Sequence, residues 1–252
     1  MTTPPTPATI IGGPGSPYVR KVLAVCDMKG VPYQLDPIVP FFGNDRFSEL
    51  NPLRRIPVFR DGEVSVSDST VICEYLEERY PSPALLPTTP PERARARWIE
   101  EFADTRIGDV IIWRIFYEAV INPFIWQKPR DKAKIARVVA EDLPEVMDQL
   151  EKLAPPVGFL FGPVSIADIS VAVSFRNLMW ARVELDKARW PKAAAWIERT
   201  TATPGLAKAT RMGDQVIQAM PDRHRTILAE LGVALTESTV AGAAPRRGPM
   251  TV

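Results

Sequence analysis

The sequence predicts two domains, a small mixed α/β domain followed by a domain built only of helices. Strand and helix patterns follow one another in the order βαβ and then ββα over about residues 8–80. Residues 82–91 then contain four prolines and two threonines, a composition typical of a stiff linker. Only helical patterns follow this linker. We therefore expect one domain over residues 1–82 and an all-helical domain with a C-terminal tail over residues 92–252.

Composition excludes several classes of protein. The 252 residues include 31 basic and 30 acidic ones, for a net charge of +1, which argues against a protein that binds nucleic acid or a membrane surface. We expect no membrane span, because no apolar run approaches ~18 residues, and no secretory signal at the N-terminus. Cys26 and Cys73 are expected to be buried, reduced thiols, which fits a cytoplasmic protein. The one histidine, His224, is expected at the surface, and we expect no metal.

The first predicted strand and the first predicted helix are joined by a loop at residues 12–16. Residues 8–12 have the pattern of a strand, Ser16 stands where a helix N-cap belongs, and Pro17 suits the first helical position. Gly30 ends the helix, and residues 33–39 form a second strand, which we expect to be parallel to the first. The expected buried helix face is Val19, Val22, Leu23 and Cys26. A hydroxyl beside free helix amides favours an anion.

The second half of this domain is predicted to be a hairpin and a helix. Residues 40–51 form a loop with one possible helical turn, and residues 58–60 and 64–67 are strands joined by a turn at Asp61-Gly62. Pro57 is tolerable at a strand's first residue. Asp68-Ser69 then opens a helix. Its expected apolar face is Val71, Ile72, Tyr75, Leu76 and Tyr80.

The second domain shows helical patterns over residues 92–121 and 131–153, where Pro144 is expected to kink or split the latter helix. Residues 165–168 form a capping box, with Asp168 in the usual Glu or Gln position, before an apolar helix that reaches residue 180. Another helix is predicted over residues 190–200, with Pro204 ending that region, and a short one over 222–231. Residues 236–252 have little to pack.

Three motifs, in this order and spacing, resemble those of the cytosolic glutathione transferases, in particular the serine-type, bacterial-like members. They are Ser16-Pro17-Tyr18 with Arg20 and Val22, then Asn51-Pro52-Leu53-Arg54-Arg55-Ile56-Pro57-Val58, and then Asp68-Ser69-x-x-Ile72-x-x-Tyr75-Leu76. The resemblance covers about residues 8–210. It implies a thioredoxin-like first domain, an all-helical second domain, a cytoplasmic homodimer, glutathione as co-substrate and a role in detoxification.

The resemblance implies that the Ser16 hydroxyl donates a hydrogen bond to the glutathione sulfur. A free thiol has a pKa of about 8.5, and lowering it by about two units requires roughly 2.7 kcal/mol. A hydrogen bond to a charged group supplies roughly 1.5–3 kcal/mol, and a helix N-terminus up to ~2 kcal/mol. Tyr18 is a rival hydroxyl, because other members use tyrosine. The alternative for Ser16 is an ordinary N-cap without chemistry.

The other two motifs imply the remaining contacts to glutathione. Ile56-Pro57 resembles a step with a cis peptide bond, where the backbone of residue 56 pairs with the cysteinyl part of glutathione. Asp68 would hold the γ-glutamyl amine and Ser69 the γ-glutamyl carboxylate. Arg55 takes the position of the family's lysine and could reach a carboxylate. Arg54 departs from the family pattern, in which glycine is usual.

The predicted function is attack of a glutathione thiolate on a hydrophobic electrophile. We expect the electrophile to bind between the domains, beside Trp113 and Phe116 or Tyr117, and Asp104 to reach the γ-glutamyl amine of a neighbouring subunit. A weakly active or non-catalytic glutathione-binding scaffold is one alternative, and a glutathione-dependent isomerase or dehalogenase is another. A disulfide reductase is disfavoured, because such members have a cysteine at the position of Ser16.

Overall fold

The computed structural model describes residues 7–249 and divides into two compact units. The first unit combines the chain up to Pro83 with the segment from Ala207 onward, and the second runs from Ala84 to Leu206. The structure differs here from the sequence-based expectation, which assigned the C-terminal tail to the helical domain. Within the described residues, no helix is both long and apolar enough to cross a membrane.

A four-stranded sheet in the order β2-β1-β3-β4 forms the centre of the first unit. Its strands are β1 Ala8–Ile11, β2 Tyr33–Asp36, β3 Val58–Asp61 and β4 Val64–Ser67. β1 pairs in parallel with β2 and antiparallel with β3, and β3 and β4 form an antiparallel hairpin. The predicted βαβ-ββα order is confirmed. β2 ends earlier than predicted, at the residue before Pro37, which has no N–H for a strand ladder.

Three helices follow the strands of this unit: α1 Pro17–Lys29, α2 Asp45–Leu50 and α3 Ser69–Arg79. Ser16 caps α1, and Gly30 ends it in the left-handed conformation (φ 66°), as predicted. The predicted apolar face of α1 is completely buried. On α3 the prediction was wrong for Val71, which is 49% exposed, because it lies on the outer side of a helix whose buried face includes Ile72 and Leu76.

The second unit is helical. α4 Pro90–Phe102 continues directly as a π-helical segment, Ala103–Ile121. The following helices are α5 Asn122–Ile125, α6 Lys132–Leu153, α7 Ile166–Ala172, α8 Phe175–Trp180 and α9 Pro191–Thr201. Pro144 lies within α6 without splitting it. The predicted long apolar helix is divided into α7 and α8 by a turn at residues 173–174.

Two further helices follow α9, and the first of them was not predicted. α10 Pro204–Val216 begins at the proline that we expected to end the region, because proline is well suited to a first helical turn. α11 His224–Glu230 confirms the predicted short helix. The residues beyond it were expected to have little to pack. Instead Val240 is buried, and its N–H donates to the buried Asp36 carboxylate (2.8 Å).

His224 was expected at the surface, and that prediction was wrong. Its side chain is buried, with Nε2 lying 3.2 Å from the Ala219 carbonyl oxygen. Burial lowers the pKa of His224, while the Ala219 carbonyl and the Asp222 carboxylate oppose this shift. The folded protein therefore favours the neutral imidazole.

We expect the free energy of unfolding to fall as pH is lowered through about 6.5, where an unfolded histidine takes up its proton. The sign follows because the unfolded state binds more protons than the folded state in this window. The slope from one such group is at most about 1.4 kcal/mol per pH unit. His224→Gln, which keeps a donor for Ala219, should flatten the curve between about pH 5 and 7. Denaturant unfolding at several pH values measures both proteins, and parallel curves would contradict the assignment.

Candidate functional site

The four strands of the sheet meet in one row of paired residues. Ile11 pairs with Asp36 on one side and Val58 on the other, and Val58 pairs with Ser67. β1 and β4 end at this row, whereas β3 begins there. The segments that join the sheet at this end are residues 12–16, Ile56-Pro57 and Asp68-Ser69. The segments that contain the site residues predicted in the first domain therefore lie together at one end of the sheet, where the strands begin or end.

Ser16 is half-buried at the start of α1, with extended backbone angles (φ −78°, ψ 131°). Its Oγ accepts a hydrogen bond from the backbone N–H of Val19 at 3.4 Å. A hydroxyl oxygen that accepts this bond keeps its own proton to donate. Tyr18 is also half-buried, within the first turn. The Ser16 hydroxyl and the positive end of the helix can therefore act on one anion.

Arg20 fixes the loop that carries Ser16. Its side chain is fully buried, and Nη1 donates to the carbonyl oxygens of Pro14 (2.8 Å) and Gly15 (3.1 Å). The guanidinium also places a cation beside the first turn of α1. Arg20 belongs to the first motif, but its role could not be predicted, since a bond from a side chain to a loop carbonyl leaves no periodic pattern in the sequence.

The Ile56-Pro57 peptide bond is cis, which confirms the expectation, and both residues are buried. The preceding turn is held by Asn51, whose Nδ2 donates to the Arg55 carbonyl (2.8 Å) and whose Oδ1 accepts from the Leu53 N–H (3.0 Å). Asparagine commonly makes such local bonds in turns, and this was the signal that could have identified Asn51. The Arg55 side chain is exposed.

Asp68 and Ser69 form the start of α3. Asp68 has a positive φ of 86°, which is unusual for a residue with a side chain, and its Oδ1 accepts from the N–H groups of Thr70 (2.9 Å) and Val71 (3.4 Å). Asp68 is exposed, whereas Ser69 is buried. Backbone strain of this kind is common where a ligand is bound.

Comparison with known protein families extends over both units. Residues 10–84 match the model of the glutathione S-transferase N-terminal domain, and residues 94–199 match that of the C-terminal domain. The chain belongs to the glutathione S-transferase family. The thioredoxin-like and helical domains expected from the sequence are therefore those of this family.

Individual relatives agree with this assignment. A glutathione S-transferase of Hyoscyamus muticus is 27% identical over 201 residues, which are 77% of this chain and 93% of that protein. A glutathione S-transferase of Methylobacterium radiotolerans, solved in complex with glutathione sulfonate, is 28% identical with a TM-score of 0.68, covering 81% of this chain and 95% of that one. A stringent starvation protein A homolog of Haemophilus ducreyi is 41% identical over 80 residues, 32% of this chain and 37% of that protein.

Arg54, which departs from the family's glycine, adopts the backbone conformation that glycine favours, with φ 53°. Its guanidinium points to the segment before and within α2. Nη2 donates to the Gly43 carbonyl (2.7 Å) and Nη1 to the Ser48 hydroxyl (2.5 Å), and the group lies over the Phe47 ring at 5.6 Å. Burial is the main cause that lowers the pKa of Arg54. In this protein a side chain thus links the turn at residue 54 to α2.

Gly12 lies where the Ser16 loop meets Ile56. Its φ is 142°, and an added Cβ would lie 2.7 Å from Val19 Cγ2 and 2.8 Å from Ile56 Cβ. Contacts under about 3 Å force one of these groups to move. Gly62, in the β3–β4 turn, also has a positive φ (59°), but an added Cβ would meet nothing within 4 Å.

We expect Gly12→Ala to lower the free energy of unfolding by about 1–3 kcal/mol and to raise KM for glutathione, because Ile56 must shift. Gly62→Ala is the control for alanine at a glycine of positive φ, since an added Cβ there collides with nothing. Denaturant unfolding and initial rates measure both variants. Equal KM values in the two variants would show that contact with Ile56 does not matter.

The aromatic residues predicted for the second substrate lie in the π-helical segment of the second unit. Phe116 and Tyr117 are each 5% exposed, and Trp113 is half-buried. The Tyr117 hydroxyl accepts from Trp126 Nε1 (2.8 Å), and Phe116 packs on Trp180 at 6.3 Å between ring centroids. Asp104 lies half-buried near the start of the same segment. Phe116 and Tyr117 thus also belong to the core of this unit.

The two cysteines are both buried, as expected. Burial raises the pKa of the Cys26 thiol well above its ordinary value, and the Asp27 carboxylate raises it further. A thiol that is kept protonated and out of contact with solvent is a poor nucleophile. This argues against a disulfide reductase that uses Cys26.

Proposed function

We propose that this glutathione transferase binds glutathione at the end of the sheet where residues 12–16, Ile56-Pro57 and Asp68-Ser69 meet. There the Ser16 hydroxyl donates a hydrogen bond to the bound thiolate. The observation that carries the proposal is the convergence of these segments on one row of paired strand residues. Ser16 is preferred to Tyr18, because the serine is the residue that caps α1.

The electrostatic requirement is modest. Lowering a thiol pKa from about 8.5 by two units requires roughly 2.7 kcal/mol. A hydrogen bond from Ser16 to a thiolate is worth roughly 1.5–3 kcal/mol, and the helix N-terminus contributes up to ~2 kcal/mol. The buried Arg20 guanidinium beside the same loop adds in the same direction. The thiolate can therefore form near neutral pH without a general base.

The chemistry of the neighbouring groups indicates which of them bind the other parts of glutathione. The backbone of Ile56 pairs with the cysteinyl part as an added strand would. The exposed Asp68 carboxylate holds the γ-glutamyl amine, and the Ser69 hydroxyl and N–H at the start of α3 hold the γ-glutamyl carboxylate. The exposed Arg55 reaches the carboxylate at the glycyl end.

The acceptor is proposed to be a small hydrophobic electrophile beside Trp113 and Phe116 or Tyr117. We also propose a cytoplasmic homodimer in which Asp104 reaches the partner's glutathione. Trp98 on α4 is a large apolar side chain at the surface, which supports a contact with a second copy at this helix. Light scattering tests the dimer.

Spectroscopic titration of the wild-type protein with glutathione tests the proposed chemistry. We expect the bound thiol to titrate roughly two pH units below its ordinary value of about 8.5. Conjugation of a model aryl halide should then proceed at neutral pH. A bound glutathione with an ordinary thiol pKa would contradict thiolate activation.

A second candidate is a glutathione-binding scaffold with little turnover. Two observations favour it, namely the altered turn at Arg54 and the C-terminal chain that lies beyond both family models. Calorimetry that shows tight glutathione binding, with no activity across an electrophile panel that includes isomerase and dehalogenase substrates, would support the scaffold. Turnover of any panel member would exclude it.

A further inference from the structure

The C-terminal segment, defined here as residues 234–246, lies beyond both family models, the second of which ends at residue 199. It extends the sheet at the outer edge of β2. The Leu35 N–H donates to the Ala234 carbonyl (2.9 Å), the Thr236 N–H donates to the Leu35 carbonyl (3.2 Å), and Leu35 and Leu235 form a parallel bridge. The edge of β2 is therefore covered by this segment.

Asp36 anchors the segment and also supports the Ser16 loop. Its carboxylate is buried and accepts from the Thr239 hydroxyl (2.7 Å), the Val240 N–H (2.8 Å) and Arg225 Nη1 (3.3 Å). The Asp36 carbonyl oxygen accepts from the Gly12 N–H (2.8 Å). One residue thus joins the C-terminal segment to the loop that leads into α1.

The segment also fixes the chain just before α2. The Val240 carbonyl accepts from the Asn44 N–H (2.9 Å), and the Arg246 N–H donates to the Phe41 carbonyl (2.7 Å). The Arg246 guanidinium donates to the Asp45 carboxylate at 2.8 Å. These bonds hold both the backbone and a side chain of residues 41–45.

The chain around α2, which the C-terminal segment contacts, also contacts Arg54. Arg54 donates to Gly43 and Ser48 and lies over Phe47. Arg54 directly precedes Arg55 and the Ile56-Pro57 step, which the proposed function assigns to glutathione. A continuous series of contacts therefore runs from the C-terminal segment through residues 41–48 and Arg54 to Arg55 and Ile56-Pro57.

We propose that the C-terminal segment is a positioning element for glutathione binding, acting through residues 41–48 and Arg54. This inference rests on the proposed function, because it concerns the affinity of that same site. The series of contacts through Arg54 leads to Arg55 and Ile56-Pro57, which are proposed to hold glutathione and not its sulfur, so we expect its effect in the affinity for glutathione and not in the chemical step.

Val240→Asp in the full chain tests this proposal, because a second carboxylate beside Asp36 would release the segment. We expect the Kd and KM for glutathione to rise by roughly five-fold. An unchanged kcat and an unchanged pH profile of kcat are expected of Arg246→Glu, because Val240→Asp also disturbs Asp36, which bonds to Gly12. Arg246→Glu, which places like charge opposite the exposed Asp45, should act in the same direction if Val240→Asp does not fold. Arg223→Glu, at an exposed arginine outside the segment, is the matched control and should change neither constant.

A double-mutant cycle tests the route through Arg54. Arg54→Gly should raise KM by itself, and Val240→Asp or Arg246→Glu should then add little to it. Fully additive effects, an unchanged affinity in a folded variant, or a fall in kcat alone would each overturn the proposal. A wild-type protein that does not bind glutathione would instead overturn the proposed function, so the two failures are distinguishable.

Discussion

Replacing Ser16 with alanine is expected to lower kcat/KM for glutathione conjugation by about 10- to 150-fold, the equivalent of the roughly 1.5–3 kcal/mol of a hydrogen bond to a charged group. The pKa of the bound thiol should rise towards its ordinary value, since only the helix N-terminus and Arg20 then favour the thiolate. The measurements are initial rates with a model aryl halide and a spectroscopic titration of bound glutathione.

Ser16 also caps α1, so the loss of the hydroxyl has to be separated from the loss of the cap. Alanine at an N-cap costs about 1 kcal/mol of stability, whereas glycine costs only a few tenths. We therefore expect Ser16→Gly to lose as much activity as Ser16→Ala while remaining more stable. Ser16→Thr, which retains a hydroxyl, should keep more activity than either. Activity that follows stability across the three variants would show that Ser16 is a cap without chemistry.

The elements around Ser16 could be predicted because their signals are local. A cap, a proline in the first turn and a glycine at the end lie within or beside the helix they define, and the structure has all three in α1. The convergence of residues 12–16, 56–57 and 68–69 also follows from strand order, since it depends only on which end of each strand the segments join.

The errors concern contacts that are distant in sequence. Residues 236–252 look unable to pack when read alone, yet Asp36 binds Thr239 and Val240, about 200 residues away. His224 is buried because neighbouring segments cover it, and no pattern around it predicts this. At Pro204 a local signal was ambiguous, because proline both follows helices and begins them.

The same limit applies within the candidate site. The resemblance to the family pointed to Ser16, Asp68 and Ser69, whose proposed roles belong to their side chains. Arg20 and Asn51 act instead by bonding to loop carbonyls, and a sequence does not reveal which carbonyls a buried side chain will meet. Arg54 was recognised as a departure, but its bonds to Gly43 and Ser48 required the fold.

The largest effect on stability is expected at Asp168, which is fully buried in the second unit. Its carboxylate accepts from the Ser165 N–H (2.9 Å), the Ser165 hydroxyl (2.5 Å), the Leu160 N–H (3.1 Å) and Trp196 Nε1 (2.7 Å). Alanine would leave these donors unsatisfied in the interior, at a cost of about 1–3 kcal/mol for each that finds no new partner. We therefore expect Asp168→Ala to lower the free energy of unfolding by about 3–5 kcal/mol.

Asp148 provides the matched control for Asp168. It accepts from an indole in the same way, with Trp190 Nε1 at 2.6 Å, but its side chain is 50% exposed. Water can accept the indole hydrogen bond in place of the Asp148 carboxylate, so Asp148→Ala should lower the free energy of unfolding by no more than about 1 kcal/mol. Urea unfolding of both variants gives the comparison. Equal losses at the two positions would mean that the carboxylate–indole bond matters more than burial, and that Asp168 does not owe its importance to the interior donors that it satisfies.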